Sequence, residues 1–212
     1  YTTGEGVVLL EPQSTNLMTY SEDFSNAAWT KVDSTITNSL ASPDGLTNSY
    51  KLVANVNNSN HRVRSAIVPI SVANTTVVFS VYIKPQEITK IAIVNNATNL
   101  SYGVVNLTTN SVIEEAQGTT SVTELSGGFV RVLFETQTSS SGFASTNVLP
   151  AIYVLDDGYT SGNPTAYSFA GNGTDGVLVY GAQLEELPYA TSYIPTSGAI
   201  ATRLADVITV DL

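Results

Sequence analysis

The stretch Phe79-Ser80-Val81-Tyr82-Ile83-Lys84 alternates large apolar residues with a serine, a tyrosine and a lysine. In an extended chain successive side chains point to opposite faces. Phe79, Val81 and Ile83 therefore share a face that suits a core, and Ser80, Tyr82 and Lys84 share the other. Val130-Arg131-Val132-Leu133-Phe134-Glu135 repeats the pattern. There Val130, Val132 and Phe134 are expected inward, and Arg131, Leu133 and Glu135 outward. In His61-Arg62-Val63-Arg64 the core takes Val63, which sets Arg62 and Arg64 outward and His61 coreward or at the strand edge.

Outward from these segments, β-branched and aromatic runs recur between Gly, Asn, Asp and Pro punctuation. Strands are expected at 7–10, 16–20, 30–39, 48–54, 61–68, 76–84, 89–95, 102–107, 111–115, 121–125, 129–136, 148–155, 177–185 and 206–210. Pro43-Asp44-Gly45, Gly127-Gly128, Asp157-Gly158 and Asp175-Gly176 carry turn chemistry. Residues 137–147 and 156–176 read as long loops. The one helical candidate is short, Glu22 to Trp29, and reads as a single turn or a loop. Many short strands at even spacing indicate an all-β sandwich or barrel. No repeat and no linker divides the 212 residues, so one domain is expected, with a core over about 9–188 and an extension over 189–212.

Composition narrows the function. Eighteen acidic residues against 8 Lys and Arg give a formal net charge of −10, and only 12% of residues are charged. Such a chain does not grip a phosphate backbone by counterion release, so nucleic acid is not an expected partner. No apolar run is long enough for a membrane-spanning helix, and no signal-peptide pattern opens the sequence. The absence of Cys removes disulfides, thiolate nucleophiles and zinc–thiolate sites. With one His, a Ser-His-Asp triad would have to use His61 and a multi-His metal site is impossible. No cofactor is expected. Asp156-Asp157-Gly158 could ligate a structural calcium through oxygens, although a β-turn is the simpler reading.

The C-terminal segment Tyr180-Gly181-Ala182-Gln183-Leu184-Glu185, followed by Thr191-Ser192-Tyr193-Ile194-Pro195-Thr196-Ser197 and Thr202-Arg203, resembles a β-sandwich domain of phage tail fibres, related virion proteins and secreted polysaccharide-active proteins. Thr15-Asn16-Leu17, Ser21-Glu22-Asp23-Phe24 and Ala28-Trp29 look like the opening of the same domain. The two alternating segments, 79–84 and 127–132, fit its paired central strands. The resemblance spans roughly 9–206. It implies a jelly-roll β-sandwich of two antiparallel sheets, similar to carbohydrate-binding modules whose concave sheet holds a sugar chain. It also implies an extracellular or virion-associated setting.

Sugar recognition needs aromatic faces for the apolar side of a ring and fixed donors and acceptors for its hydroxyls, and Arg forks suit uronate or sulfate groups. Arg62, Arg64, Tyr82, Lys84, Arg131 and Glu135 are expected to form one such groove, with His61, Tyr102 and Trp29 as further ligand-binding candidates. The plain structural alternative is a solvated sheet face with an Arg131–Glu135 ion pair, a core role for Trp29 and a strand-edge role for His61. Tyr153, Tyr159 and Tyr167 are secondary aromatic candidates. The expected function is a non-catalytic polysaccharide-binding module with no catalytic residues. The alternatives are a structural or oligomerisation domain of a virion appendage, for which a homotrimer in a fibre is expected, and a polysaccharide lyase or hydrolase.

Overall fold

A computed structural model describes residues 10–71, 75–96, 101–137 and 147–207. Twelve strands build the body: β1 (Trp29–Val32), β2 (Ser34–Leu40), β3 (Ser49–Ala54), β4 (His61–Ser65), β5 (Thr76–Pro85), β6 (Lys90–Asn96), β7 (Ser101–Asn106), β8 (Ser111–Ala116), β9 (Thr119–Glu124), β10 (Val130–Gln137), β11 (Ala151–Leu155) and β12 (Gly176–Glu185). They form two six-stranded sheets, ordered β8-β7-β6-β11-β4-β1 and β9-β10-β5-β12-β3-β2, with every neighbouring pair antiparallel. The fold is the jelly-roll β-sandwich that the alternation and the resemblance indicate.

The sheets bury their apolar faces against each other. Phe79, Val81 and Ile83 of β5 and Val130, Val132 and Phe134 of β10 point inward, as the alternation requires. Val63 of β4, Ile91 and Ile93 of β6, Ile152 and Val154 of β11 and Leu52 of β3 complete the same core. Trp29 lies in it, 2% exposed and stacked on Phe24 with ring centroids 4.7 Å apart. Its indole N–H donates to the Tyr20 carbonyl at 2.8 Å, so the one polar atom of the ring is satisfied inside.

Several expected elements are broken by local chemistry. The expected strand 30–39 is two strands, because Asp33 takes a left-handed φ of 45° and carries the chain from the first sheet to the second. The helical candidate over 22–29 forms turns. Asp23 accepts hydrogen bonds from the backbone and hydroxyl of Ser25, and Asn26 accepts one from the backbone of Ala28. Such side-chain bonds compete with a helical ladder. Segments 61–68 and 148–155 each split into a short and a long piece. The expected strand 7–10 and most of the loop 137–147 lie outside the described residues, as do positions 208–210. Residues 204–207 carry no strand.

The extension 189–212 packs back on the body as far as it is described. Ala201–Arg203 pairs antiparallel with Ser14–Asn16. Asn16 ties the two ends together: its side-chain amide donates to the carbonyls of Ala182 (3.2 Å) and Ile194 (2.8 Å). Glu185, fully buried, accepts from Ser14 Oγ and Thr191 Oγ1, both at 2.5 Å.

Candidate functional site

Each sheet has an outer face, and the expected ligand residues divide between them. On the first sheet, β4 turns Arg62 and Arg64 outward, opposite the inward His61 and Val63. Register places Arg62 beside Tyr153 of β11, which faces Ala92 of β6, Val104 of β7 and Glu114 of β8 in turn. The next row runs Arg64, Ala151, Val94, Tyr102 and Ala116. Neighbouring strands lie about 4.8 Å apart, so Arg64 and Tyr102 are roughly 14 Å apart along the row. The middle of both rows is closed to solvent, with Ala92, Val94 and Val104 fully buried and Tyr153 and Tyr102 only 3% and 8% exposed, while Arg62 and Arg64 are half-buried.

The aromatic and basic groups of this face are fixed to each other. The Arg62 guanidinium sits over the Tyr153 ring, 5.3 Å from its centroid, and donates to the Asn60 side chain. Tyr102, Tyr153 and Tyr159 pack with Ala92, Val94, Val104, Ala151 and Leu155 in one apolar cluster, with Tyr167 against it. The glycine-rich loop after β11 supplies Tyr159 and Tyr167 and borders the rows. Lys90 holds that loop by donating to the carbonyls of Asp157 (2.9 Å) and Tyr159 (2.8 Å). Tyr159 donates to Glu114, whose other oxygen accepts from the backbone of Gly162 at 3.1 Å. Asp156 caps its own turn through Gly158 N–H and accepts from Tyr167 at 2.5 Å. Burial pushes the Tyr153 hydroxyl above its ordinary value, against the opposing pull of the Arg62 and Arg64 charges. Burial, helped by the Glu114 charge, does the same at Tyr102.

The second sheet carries the other half of the expected set on its own outer face. Arg131 lies over the Tyr82 ring at 5.4 Å and donates to Ser80 Oγ at 2.9 Å. Lys84 lies over Phe129 at 5.8 Å. Glu135 is on the same strand face as Arg131, but no ion pair joins them among the described residues. Its tyrosines are as buried as those of the first face: Tyr82 and Tyr180 are 8% and 4% exposed, here beneath Tyr193 of the C-terminal segment. Tyr180 donates to Asp44 (2.9 Å) and lies 3.2 Å from Glu22, which Tyr193 also reaches. Burial, followed by these acidic partners, raises the Tyr180 hydroxyl far above its usual range.

The single groove expected from sequence is therefore corrected. Arg62, Arg64 and Tyr102 are on the outer face of the first sheet. Tyr82, Lys84, Arg131 and Glu135 are on the outer face of the second, with the whole core between the two groups. Alternation assigns a face within each strand, but β4 pairs with β11 and β1 rather than with β5 or β10. His61 and Trp29 are on neither outer face. His61 is fully buried, its Nδ1 against the Asp33 carbonyl and its Nε2 2.9 Å from the Phe169 carbonyl. Trp29 is in the core, and one edge of it borders an apolar cavity of about 340 Å³ that Met18, Ala28, Val68 and Ile200 also line. The acidic group Glu22–Asp44 around Tyr180 was not anticipated, since residues so far apart in sequence meet only through the 42–48 loop.

No protein-family model and no curated protein matches the sequence. Solved structures of similar shape include the following three. The enzymatically active domain of tailspike protein 4 from bacteriophage CBA120 aligns with a TM-score of 0.45 and 11% identity over 80% of this chain. The chain spans 21% of the length of that tailspike structure. A protein described as sugar-binding from Bacteroides thetaiotaomicron aligns with a TM-score of 0.43 and 10% identity, over 81% of this chain and 100% of that one. A carbohydrate-binding module studied for specific mannan recognition aligns with a TM-score of 0.33 and 10% identity, over 84% and 98%.

Proposed function

We propose that this chain is a non-catalytic carbohydrate-binding module and that it holds its glycan on the outer face of the first sheet. The observation that carries this reading is the arrangement of Arg62, Arg64, Tyr153 and Tyr102 in two adjacent rows of one face, bordered by the tyrosine-bearing loop. Tyrosine rings supply apolar surface and hydroxyls at low entropic cost, and a guanidinium fork supplies several donors in fixed geometry. Glu114, the acid at the far end of the face, has both oxygens engaged, by Tyr159 and by the backbone of Gly162. A place on a phage tail fibre or on a secreted polysaccharide-acting protein fits this role. There, repeated copies raise a weak single-site affinity by avidity.

A glycan array tests the reading, with three proteins run together: the wild type, Arg62→Ala/Arg64→Ala and Arg131→Ala/Lys84→Ala. Binding by the wild type that disappears only in the first variant supports it. Loss in the second variant alone would move the site to the other sheet. No binding by any protein, together with a trimeric mass in solution, would replace the reading with a structural role in a virion appendage.

A further inference from the structure

We infer that the first-sheet face reads an oxyanion on its glycan, a uronate carboxylate or a sulfate ester, and that Arg64 is the residue that determines this specificity. The inference rests on the proposed carbohydrate site and names its ligand class.

The basis is where the positive charges of the chain go. Lys51 and Arg203 are in ion pairs, with Glu87 at 2.6 Å and Glu11 at 2.5 Å. Lys31 donates to two backbone carbonyls, of Ser25 and Asn26, and Lys90 to two in the loop. Lys84 and Arg131 lie over rings, and Arg62 lies over Tyr153 and bonds Asn60. Those seven leave Arg64 alone: its guanidinium has no hydrogen bond, ion pair or stacked ring among the described residues. In a chain with 18 acids and 8 bases, an arginine without an acidic neighbour is not a consequence of scarcity.

The surroundings keep that charge uncompensated. Arg62 and Arg64 point the same way two residues apart, which puts their Cα atoms about 7 Å apart. Asp33, which follows the Val32 that pairs with Arg62, turns its carboxylate to the amides of Asn55 and Asn57. Glu114 lies four strands from Arg62, and Tyr159 and Gly162 hold it. Tyr153 stays neutral beside the two arginines because burial opposes its ionisation. Arg62 is fixed on its ring, whereas Arg64 is free to close over a ligand. A planar group with two oxygens matches the guanidinium fork, and charge-assisted bonds of this kind are about twice as strong as neutral ones.

Calorimetric titration with three hexasaccharides tests this: cellohexaose (neutral), an oligogalacturonate (carboxylate) and a heparin-derived chain (sulfate). At least one anionic chain is expected to bind about tenfold or more tightly than the neutral one, with affinity falling as salt is added. Arg64→Ala should remove that advantage while leaving the thermal midpoint unchanged, because no partner is lost in the fold. Arg64→Lys should retain part of it, since charge remains and the fork does not. The carboxylate and sulfate arms identify which oxyanion is read. Equal affinity for neutral and anionic chains, or an undiminished preference in Arg64→Ala, would overturn the inference and leave the carbohydrate site standing. Failure to bind any of the three, or any array glycan, would remove both.

Discussion

Replacing His61 by alanine should destabilise the fold and spare ligand binding. The ring is buried, with one nitrogen against the Asp33 carbonyl at the β1–β2 crossover and the other against the Phe169 carbonyl. It also meets the Phe169 ring edge-on at 4.5 Å. His61 thus pins the crossover between the sheets and the end of the glycine-rich loop to one point of β4. Leaving one buried carbonyl without its partner costs about 1–3 kcal/mol, and an aromatic edge contact about 0.5–1.5 kcal/mol, so His61→Ala should lose roughly 1.5–4.5 kcal/mol. For a domain of this size each kcal/mol lowers the midpoint by about 2–4 °C, which predicts a fall of roughly 3–18 °C. Thermal and urea unfolding followed by circular dichroism read this directly. A midpoint within about 2 °C of wild type would refute the latch. Full stability with lost glycan binding would return His61 to the ligand set.

Other outcomes follow from the same geometry. Arg131→Ala and Lys84→Ala should each leave glycan affinity within about twofold of wild type, because both lie on the far sheet, and calorimetry checks this. Trp29→Ala should cost about 3–5 kcal/mol in urea unfolding, and the Trp29 emission of the wild type should not change when glycan is added, since the ring is in the core. Stability should fall at alkaline pH. Burial raises Tyr82, Tyr102 and Tyr153 above their ordinary value, and burial together with Asp156 pushes Tyr167 up to about 12. Unfolded tyrosine ionises near pH 10, so this contribution is complete below about pH 10 and is lost as pH rises toward the folded values. Urea midpoints measured at pH 8 and pH 11 should differ in that direction.

Much of the architecture is legible in the sequence because alternation is a local signal. The inward set of β5 and β10 and the outward pair Arg62 and Arg64 can each be read from six residues or fewer. The position of His61 on the Val63 side can be read the same way. Strand partnership is not local. Nothing within 61–65 says that β4 joins β11 and β1, so residues with the same outward character were expected to share a sheet and do not. Tyr153 could be found only as one tyrosine among several until its register against Arg62 was known. Splits such as the one at Asp33 depend on a single residue entering left-handed backbone, which Asp tolerates but does not announce. The Glu22–Asp44–Tyr180 group depends on contacts between segments more than a hundred residues apart.

The central claim is that glycan sits on the first sheet. Backbone NMR spectra recorded while the best array ligand is titrated into the protein test it most directly. Shift changes concentrated at Arg62, Arg64, Tyr153, Tyr102 and the Tyr159 loop are predicted, with Tyr82, Lys84 and Arg131 unmoved. Changes centred on Arg131 and Tyr82, with the first sheet silent, would contradict it.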